Sequence, residues 1–215
     1  MTFRVGIVVG GRGKRLMPYT NERPKPLLEV GGRYILAYIL DEVRALNFPI
    51  SLLLGYRGQM VADLFRGYES IPFDDADGGA YKVLELAKRS KETNAIILYG
   101  DTLIKKESVE LAVNHHLSGD FDGTILFSDY HKPSAPEGIV RILDRNQEIA
   151  VEKSIPRKKE NSTIGGNIGM SLLIRALTDN GCKIQTLTTN DWFLNINTLE
   201  DFENAKRMID VVKAK

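Results

Sequence analysis

Short apolar runs alternate with segments of helical period along this chain, and that alternation restricts its fold more than any other feature. Val5 to Val9 is strand-length and runs straight into glycines, the pattern of a strand covered on both faces. Ile35, Leu36, Ile39, Leu40, Val43 and Leu46 share one helical stripe, and Ile50 to Leu54 is a second apolar run, ending at Gly55. A β-α-β order of this kind makes the two strands parallel. Val83 to Leu86 belong to a further helix, Ala95 to Tyr99 form a third strand ending at Gly100-Asp101, and Ser108 to Leu117 read as a helix with Ser108 as N-cap. Beyond it, strands are expected at Thr124–Phe127, Ile139–Leu143, Ile149–Glu152 and Ile168–Ile174, with fewer helices between them. That half reads as a partly antiparallel insertion. A last helix is expected from about Leu199 to Val212, and the basic tail after it is a solvated end. The predicted fold is therefore α/β: a Rossmann-like, doubly wound, mixed but mostly parallel sheet, built as one domain over residues 1–215.

Composition narrows the class of partner. With 29 Lys and Arg against 28 Asp and Glu, the net charge is +1, so no broad attraction to nucleic acid or anionic membrane is expected. No apolar stretch approaches the roughly 18 residues that span a bilayer, and the N-terminus lacks a signal-peptide pattern. A cytoplasmic protein is expected. The lone Cys182 cannot form an internal disulfide and reads as a buried bystander.

In doubly wound sheets ligands bind beyond the carboxyl ends of the strands. Two such places carry chemistry here: the loop after Val9, and Asp101 after the third strand. The loop, GGRGKRLMPYTNERPKPLL, concentrates Gly10, Gly11 and Gly13 with Lys14, Arg15 and Lys25 and three prolines. Glycines let backbone N–H groups approach phosphate oxygens, and prolines stiffen the chain after them. Two common phosphate motifs fail. A Walker A loop needs Ser or Thr where Arg15 stands and glycine where Val8 stands, and the dinucleotide fingerprint needs glycine at Leu16.

From Gly10 to Gly32 the chain matches GGxGxRLxPxTxxxPKPLLxVGG, and it thereby resembles the sugar-1-phosphate nucleotidyltransferase family in a minimal form, without an appended left-handed β-helix. Lys14 is a departure, since the family often has threonine there. The resemblance implies transfer of a nucleotidyl group from a nucleoside triphosphate to a sugar 1-phosphate, with Mg²⁺, giving a sugar nucleotide and pyrophosphate. It makes residues 1–122 mainly the nucleotide-binding half and 123–198 mainly the sugar-binding half, with 199–215 as the C-terminal helix. Cations must converge for such chemistry, because the two substrates are both anions. Each unit charge about 4 Å away is worth roughly 4 kcal/mol at an effective dielectric of about 20. By resemblance, Arg15 binds the β and γ phosphates, Lys25 contacts the α-phosphate and the attacking phosphate, and Asp101 holds Mg²⁺ between them.

Other positions come from the same likeness. Relatives carry a second metal-binding Asp in a pattern like W-x-D-x-G-T-P-E-D, where this chain reads WFLNINTLED. Asn195 takes that place, with Asn197 in reserve and Asp191 as a weaker candidate. An amide oxygen can bind Mg²⁺ but brings no charge. Gly79 and Gly100 join the nucleotide-binding set. Gly138, Glu152, Lys153 and Asn167 are the sugar-phosphate set, although Ser154 replaces the family's proline. Asp74, Asp75 and Asp77 before Gly78 fail the calcium-loop pattern at Gly79 and read as a solvated acidic loop. His115 and His116, adjacent on a helix, point apart and have surface or packing roles. Two other functions stay open: a nucleotide-binding regulatory homologue with a worn metal site, and a transferase acting on a non-sugar phosphate. The expected partners are a nucleoside triphosphate and a sugar 1-phosphate, with room for a homo-oligomer.

Overall fold

β1 (Phe3–Val9) is the axis of the molecule. A glycine-rich loop comes after it, then β2 (Glu29–Val30) and β3 (Arg33–Tyr34) as a small antiparallel ribbon, α1 (Ile35–Arg44), β4 (Ile50–Leu54), α2 (Gly58–Leu64) and β5 (Glu69–Pro72). Next come α3 (Gly79–Arg89), β6 (Asn94–Tyr99), β7 (Thr102–Leu103), α4 (Lys106–Ser118) and β8 (Gly123–Ser128). The described chain continues through β9 (Val140–Asp144), α5 (Met170–Asp179), β10 (Ile184–Thr189), β11 (Leu194–Asn195) and α6 (Leu199–Lys213). This computed structural model describes residues 1–74, 79–128, 140–144, 170–191 and 193–213.

Among the described residues the main sheet has seven strands in the order β10-β8-β9-β6-β1-β4-β5. β1 pairs in parallel with β4 on one side and β6 on the other, and β9 runs antiparallel to both β6 and β8. β10 returns to the parallel sense beside β8. The sheet is thus mostly parallel, as expected, and of the strands in its later half β9 is the reversed one.

Each strand divides its side chains between two cores, because successive residues face opposite sides of a sheet. Val5, Ile7 and Val9 of β1, Leu52 and Leu54 of β4, and Ile96 and Leu98 of β6 pack with α1, α4 and α6. Val8, Leu53, Ala95 and Ile97 face the other way, onto α3 and α5. Burying each such Leu or Ile is worth about 1.5–3 kcal/mol. The stripe expected on α1 is realised, with Ile35, Leu36, Ile39, Leu40 and Val43 all buried.

Two sequence expectations need correction. Ile168–Ile174 reads as a strand in sequence, but Met170–Asp179 is helical. Its buried Leu173, Ala176 and Leu177 have helical rather than alternating spacing, and they close onto α3. Ser108 reads as the cap of α4, but the helix begins at Lys106 with Lys105 in the N-cap position. Ser108, fully buried in the first turn, instead donates its hydroxyl to Asp191 Oδ2 at 2.8 Å. α2, β5 and β10 have no clear sequence signature, since their short runs mix exposed polar residues with few apolar ones.

Candidate active site

The strand order reverses at β1: the chain steps outward through β4 to β5 and then crosses back to β6. The carboxyl ends of β1 and β6 therefore border the crevice where a doubly wound sheet binds ligands. Gly10 to Leu28 leaves β1 there. Gly11 (φ 111°) and Gly13 (φ 56°) both take left-handed backbone, which L side chains resist. The Leu16 amide and the Thr20 hydroxyl both donate to the Gly13 carbonyl, at 2.8 and 2.9 Å. Leu16, fully buried, anchors the short 3₁₀ turn Lys14–Leu16, so that Lys14 and Arg15 on the same turn stay exposed at the mouth. Arg12 lies over the Tyr56 ring, 5.6 Å from its centroid.

A second 3₁₀ turn, Lys25–Leu27, brings in the second cation. Extended Pro24 precedes it, and buried Pro26 and Leu27 hold it in place. The turn leans on Gly100, where a Cβ would meet Pro26 Cγ and the Val8 carbonyl at 3.2 Å each. Lys25 Nζ then donates to Asp101 Oδ2 at 2.6 Å and to Asn197 Oδ1 at 2.9 Å. Three segments far apart in sequence converge on one ammonium. The Lys25 and Asp101 side chains are only 11% and 22% exposed, so their attraction is less screened than that of a surface pair.

β11 carries Asn195, and Asn197 lies two residues beyond it. It pairs antiparallel with β7, setting Asn195 opposite Thr102, and the Ile196 amide donates to the Asp101 carbonyl at 2.9 Å. Asn197 therefore commits its side-chain oxygen to Lys25, whereas Asn195 Oδ1 is buried with no hydrogen-bond partner among the described residues. An orphaned buried acceptor costs about 1–3 kcal/mol, and a bound cation would satisfy it. Asp191 is otherwise engaged: its carboxylate accepts from Ser108 and its carbonyl from Ser128, at 2.6 Å. Among the described residues no cluster of three or more His, Cys, Asp or Glu converges that could hold a metal. Among the described residues Asp101 offers a carboxylate and Asn195 an amide oxygen without a partner.

Gly79 opens α3, and Gly138, Glu152, Lys153 and Asn167 lie outside the described residues, as do Asp75 and Asp77. His116 is buried, with Nδ1 3.0 Å from Thr124 Oγ1 and Nε2 3.3 Å from Asn94 Oδ1, while His115 is exposed. Cys182 is buried. Sequence reasoning missed two contributors. Arg57 donates to the carbonyls of Glu22 and Asn21 at 2.9 and 3.0 Å, tying the loop to the start of α2. Lys82 of α3 is buried beside Gly10. Neither carries a local motif, so no sequence signal marked them. No helix among the described residues is long and apolar enough to cross a membrane.

The family model described as nucleotidyl transferase matches residues 5–161. Over 158 residues the chain is 31% identical to the bifunctional protein GlmU of Methanocaldococcus jannaschii, covering 72% of this chain and 36% of that protein. It is 30% identical over 160 residues to mannose-1-phosphate guanyltransferase of Neurospora crassa, covering 65% and 44%. The chain thus spans less than half the length of these curated relatives. A solved structure from Bacillus anthracis, assigned as a glucose-1-phosphate thymidylyltransferase, superposes with a TM-score of 0.75 at 15% identity, covering 96% of this chain and 95% of that one. At that identity the likeness concerns the fold.

Proposed function

The chain belongs to the nucleotidyl transferase family, and on that footing we propose that it transfers a nucleotidyl group from a nucleoside triphosphate to a sugar 1-phosphate. A phosphate oxygen of the sugar phosphate forms a bond to the α-phosphorus. The bond from that phosphorus to the α,β-bridging oxygen breaks, and pyrophosphate leaves with the electron pair. The observation that carries this reading is the meeting of Lys25 with Asp101 and Asn197 at the carboxyl edge between β1 and β6.

The chain's own work is to bring two anions together and hold them in line. The glycine loop offers backbone amides to the triphosphate, and exposed Arg15 and Lys14 on its 3₁₀ turn neutralise the β and γ phosphates and the departing pyrophosphate. Lys25, released from Asp101 as the substrates enter, screens the α-phosphate from the attacking phosphate. Asn197 keeps that ammonium from swinging away. Asp101 and Asn195 would hold Mg²⁺; their hard oxygens, one charged and one neutral and orphaned, suit an ion that takes one or two protein ligands and completes its shell with water and phosphate oxygens. Bound there, Mg²⁺ would supply positive charge that offsets the repulsion of the two phosphates. Residues 123–198 are the sugar-binding half of a single domain, and by the family likeness Gly138, Glu152, Lys153 and Asn167, which lie outside the described residues, are the candidate contacts to the sugar phosphate. Gly79 and Gly100 complete the nucleotide side.

The test is pyrophosphate release from ATP, CTP, GTP, UTP and dTTP, each with Mg²⁺, against a panel of sugar 1-phosphates. One pairing should turn over well above the rest. Tight triphosphate binding with no release for any sugar phosphate would overturn the proposal and point to a regulatory homologue. Release with a polyol phosphate alone would move the acceptor class.

A further inference from the structure

Among the described residues, two that are not glycine take left-handed backbone: Asn47 at φ 56° and Arg57 at φ 50°. Asparagine enters that region readily, whereas an arginine there is strained. Arg57 stands in the N-cap position of α2, shortly after the end of β4, yet its side chain caps no helix amide. Glycine would hold the same backbone without the strain. Strained residues cluster at functional sites, and the guanidinium gives Arg57 such a role.

Nη1 donates to the Glu22 carbonyl at 2.9 Å, Nη2 to the Asn21 carbonyl at 3.0 Å and Nε to the Tyr56 hydroxyl at 2.9 Å. Two N–H groups on consecutive carbonyls make a grip that the single ammonium of a lysine does not reproduce. Asn21, Glu22 and Arg23 are an exposed outer limb of the glycine loop, between buried Thr20 and buried Pro24. The inner limb reaches the same place, because Arg12 and Arg57 lie 5.6 and 5.5 Å from the centroid of the Tyr56 ring. Tyr56 is tied to the sheet through Gly55, whose amide donates to the Val9 carbonyl at 2.9 Å. Lys25 follows Glu22 by three residues, so the position of that carbonyl decides where the chain enters the Lys25–Leu27 turn.

We propose that Arg57 is a positioning residue for nucleotidyl transfer: its guanidinium staples the Asn21-Glu22 limb of the glycine loop to the end of β4 and thereby fixes Lys25 at the crevice. The inference rests on the nucleotidyl-transfer reading above. It gives Arg57 no contact with substrate. Because Arg57 acts through Lys25, its loss should lower kcat and leave KM for the triphosphate within a factor of about two.

Arg57→Gly removes the guanidinium and relaxes the backbone together, so the fold should survive it. Pyrophosphate release and Tm are measured for the wild type, Arg57→Gly and Arg57→Lys, with the triphosphate and sugar 1-phosphate that turn over fastest. Arg57→Gly is expected to keep the wild-type Tm and to lose about tenfold in kcat, within the range for a displaced catalytic group. Guanidinium chloride at a non-denaturing concentration should restore part of that rate, and NaCl of the same ionic strength should not. Arg57→Lys should resemble Arg57→Gly in kcat. Release of the loop is read without turnover, by cleavage of the Glu22–Arg23 bond with a glutamyl-specific protease, which should run about tenfold faster in Arg57→Gly. Wild-type kcat in Arg57→Gly overturns the proposal, and so does equal cleavage of the two chains. A lowered kcat that comes with a lowered Tm and no rescue by guanidinium also overturns it, since Arg57 would then serve the fold alone. If the wild-type chain releases no pyrophosphate with any pair, the nucleotidyl-transfer reading fails and the positioning role falls with it, even where the difference in cleavage remains.

Discussion

Lys25 concentrates the chemistry at the scale of single residues. Its ammonium is shared between Asp101 and Asn197 at 2.6 and 2.9 Å, so it is already held at the place where two phosphates would meet. Lys25→Met and Asp101→Ala should each lower the rate of pyrophosphate release at least about a hundredfold, as for loss of a transition-state charge contact. Circular dichroism should show both variants folded, and rates within a factor of a few of wild type would remove these residues from the reaction. Asn195 presents a buried amide oxygen with no partner among the described residues. Replacing it by Asp adds a charge to the same position, so Asn195→Asp should lower the Mg²⁺ concentration giving half-maximal rate. An unaltered metal titration would exclude Asn195 as a ligand. Away from the site, Arg4 bonds Glu92 at 2.8 Å and Glu69 at 2.5 Å. The hydrogen bond from Arg4 holds the Glu92 carboxyl below its ordinary value of 4.5. A depressed carboxylate stabilises the fold above the unfolded-state value and loses that contribution as pH falls through the folded-state value. The urea midpoint should therefore drop as pH falls below about 4.5, and Glu92→Gln should make that drop shallower.

Single turns of secondary structure hold these residues in place. The first turn of α6 is closed reciprocally: Asp201 Oδ2 accepts from the Asn197 and Thr198 amides at 2.9 and 2.8 Å, and Thr198 Oγ1 accepts from the Asp201 amide at 3.2 Å. This is a capping box with Asp in place of the usual Glu. Its loss reaches the site directly, because Asn197 belongs both to the cap and to the Lys25 cluster. Thr198→Ala should cost about 1 kcal/mol in chemical denaturation and should also raise KM, and a stability loss with unaltered kinetics would separate the cap from the site. The TLED motif is readable in the sequence, but its junction with Lys25 is not. The β7–β11 ribbon is similar: two residues from each side are too short for any periodicity, yet they set Asn195 opposite the residue after Asp101. α5 shows the converse failure. Its apolar run fits strand or helix equally well, and packing against α3 selected the helix.

The whole molecule is organised by its strand order. Placing β6 beside β1, although β4 and β5 intervene in the chain, turns two distant loops into one crevice. A ligand bound there touches both halves of the sheet and stabilises the folded state by mass action. The triphosphate with Mg²⁺ at about a hundred times its Kd should add roughly 2.7 kcal/mol, raising Tm by about 5 to 10 °C for a domain of this size. EDTA should remove most of that shift if the cation bridges Asp101 and the phosphates, and a shift insensitive to EDTA would contradict the proposed metal.

The alternation of apolar runs, the glycine loop and the Gly-Asp end of the third strand were legible in the amino-acid order, because the periods of strand and helix and the conformational freedom of glycine are local properties. They sufficed for an α/β sheet, while Lys25 and Asp101 were marked by the family resemblance of the loop and of the strand end, and their direct ion pair appeared only in the fold. Only the folded chain decided that Asn197 would grip Lys25, that Asn195 would be left with an orphaned oxygen, and that Lys82 would reach between Gly10 and Gly55. Each of those outcomes depends on residues dozens of positions apart arriving at one sheet edge. That arrival is governed by strand order and burial, which no local stretch of sequence contains.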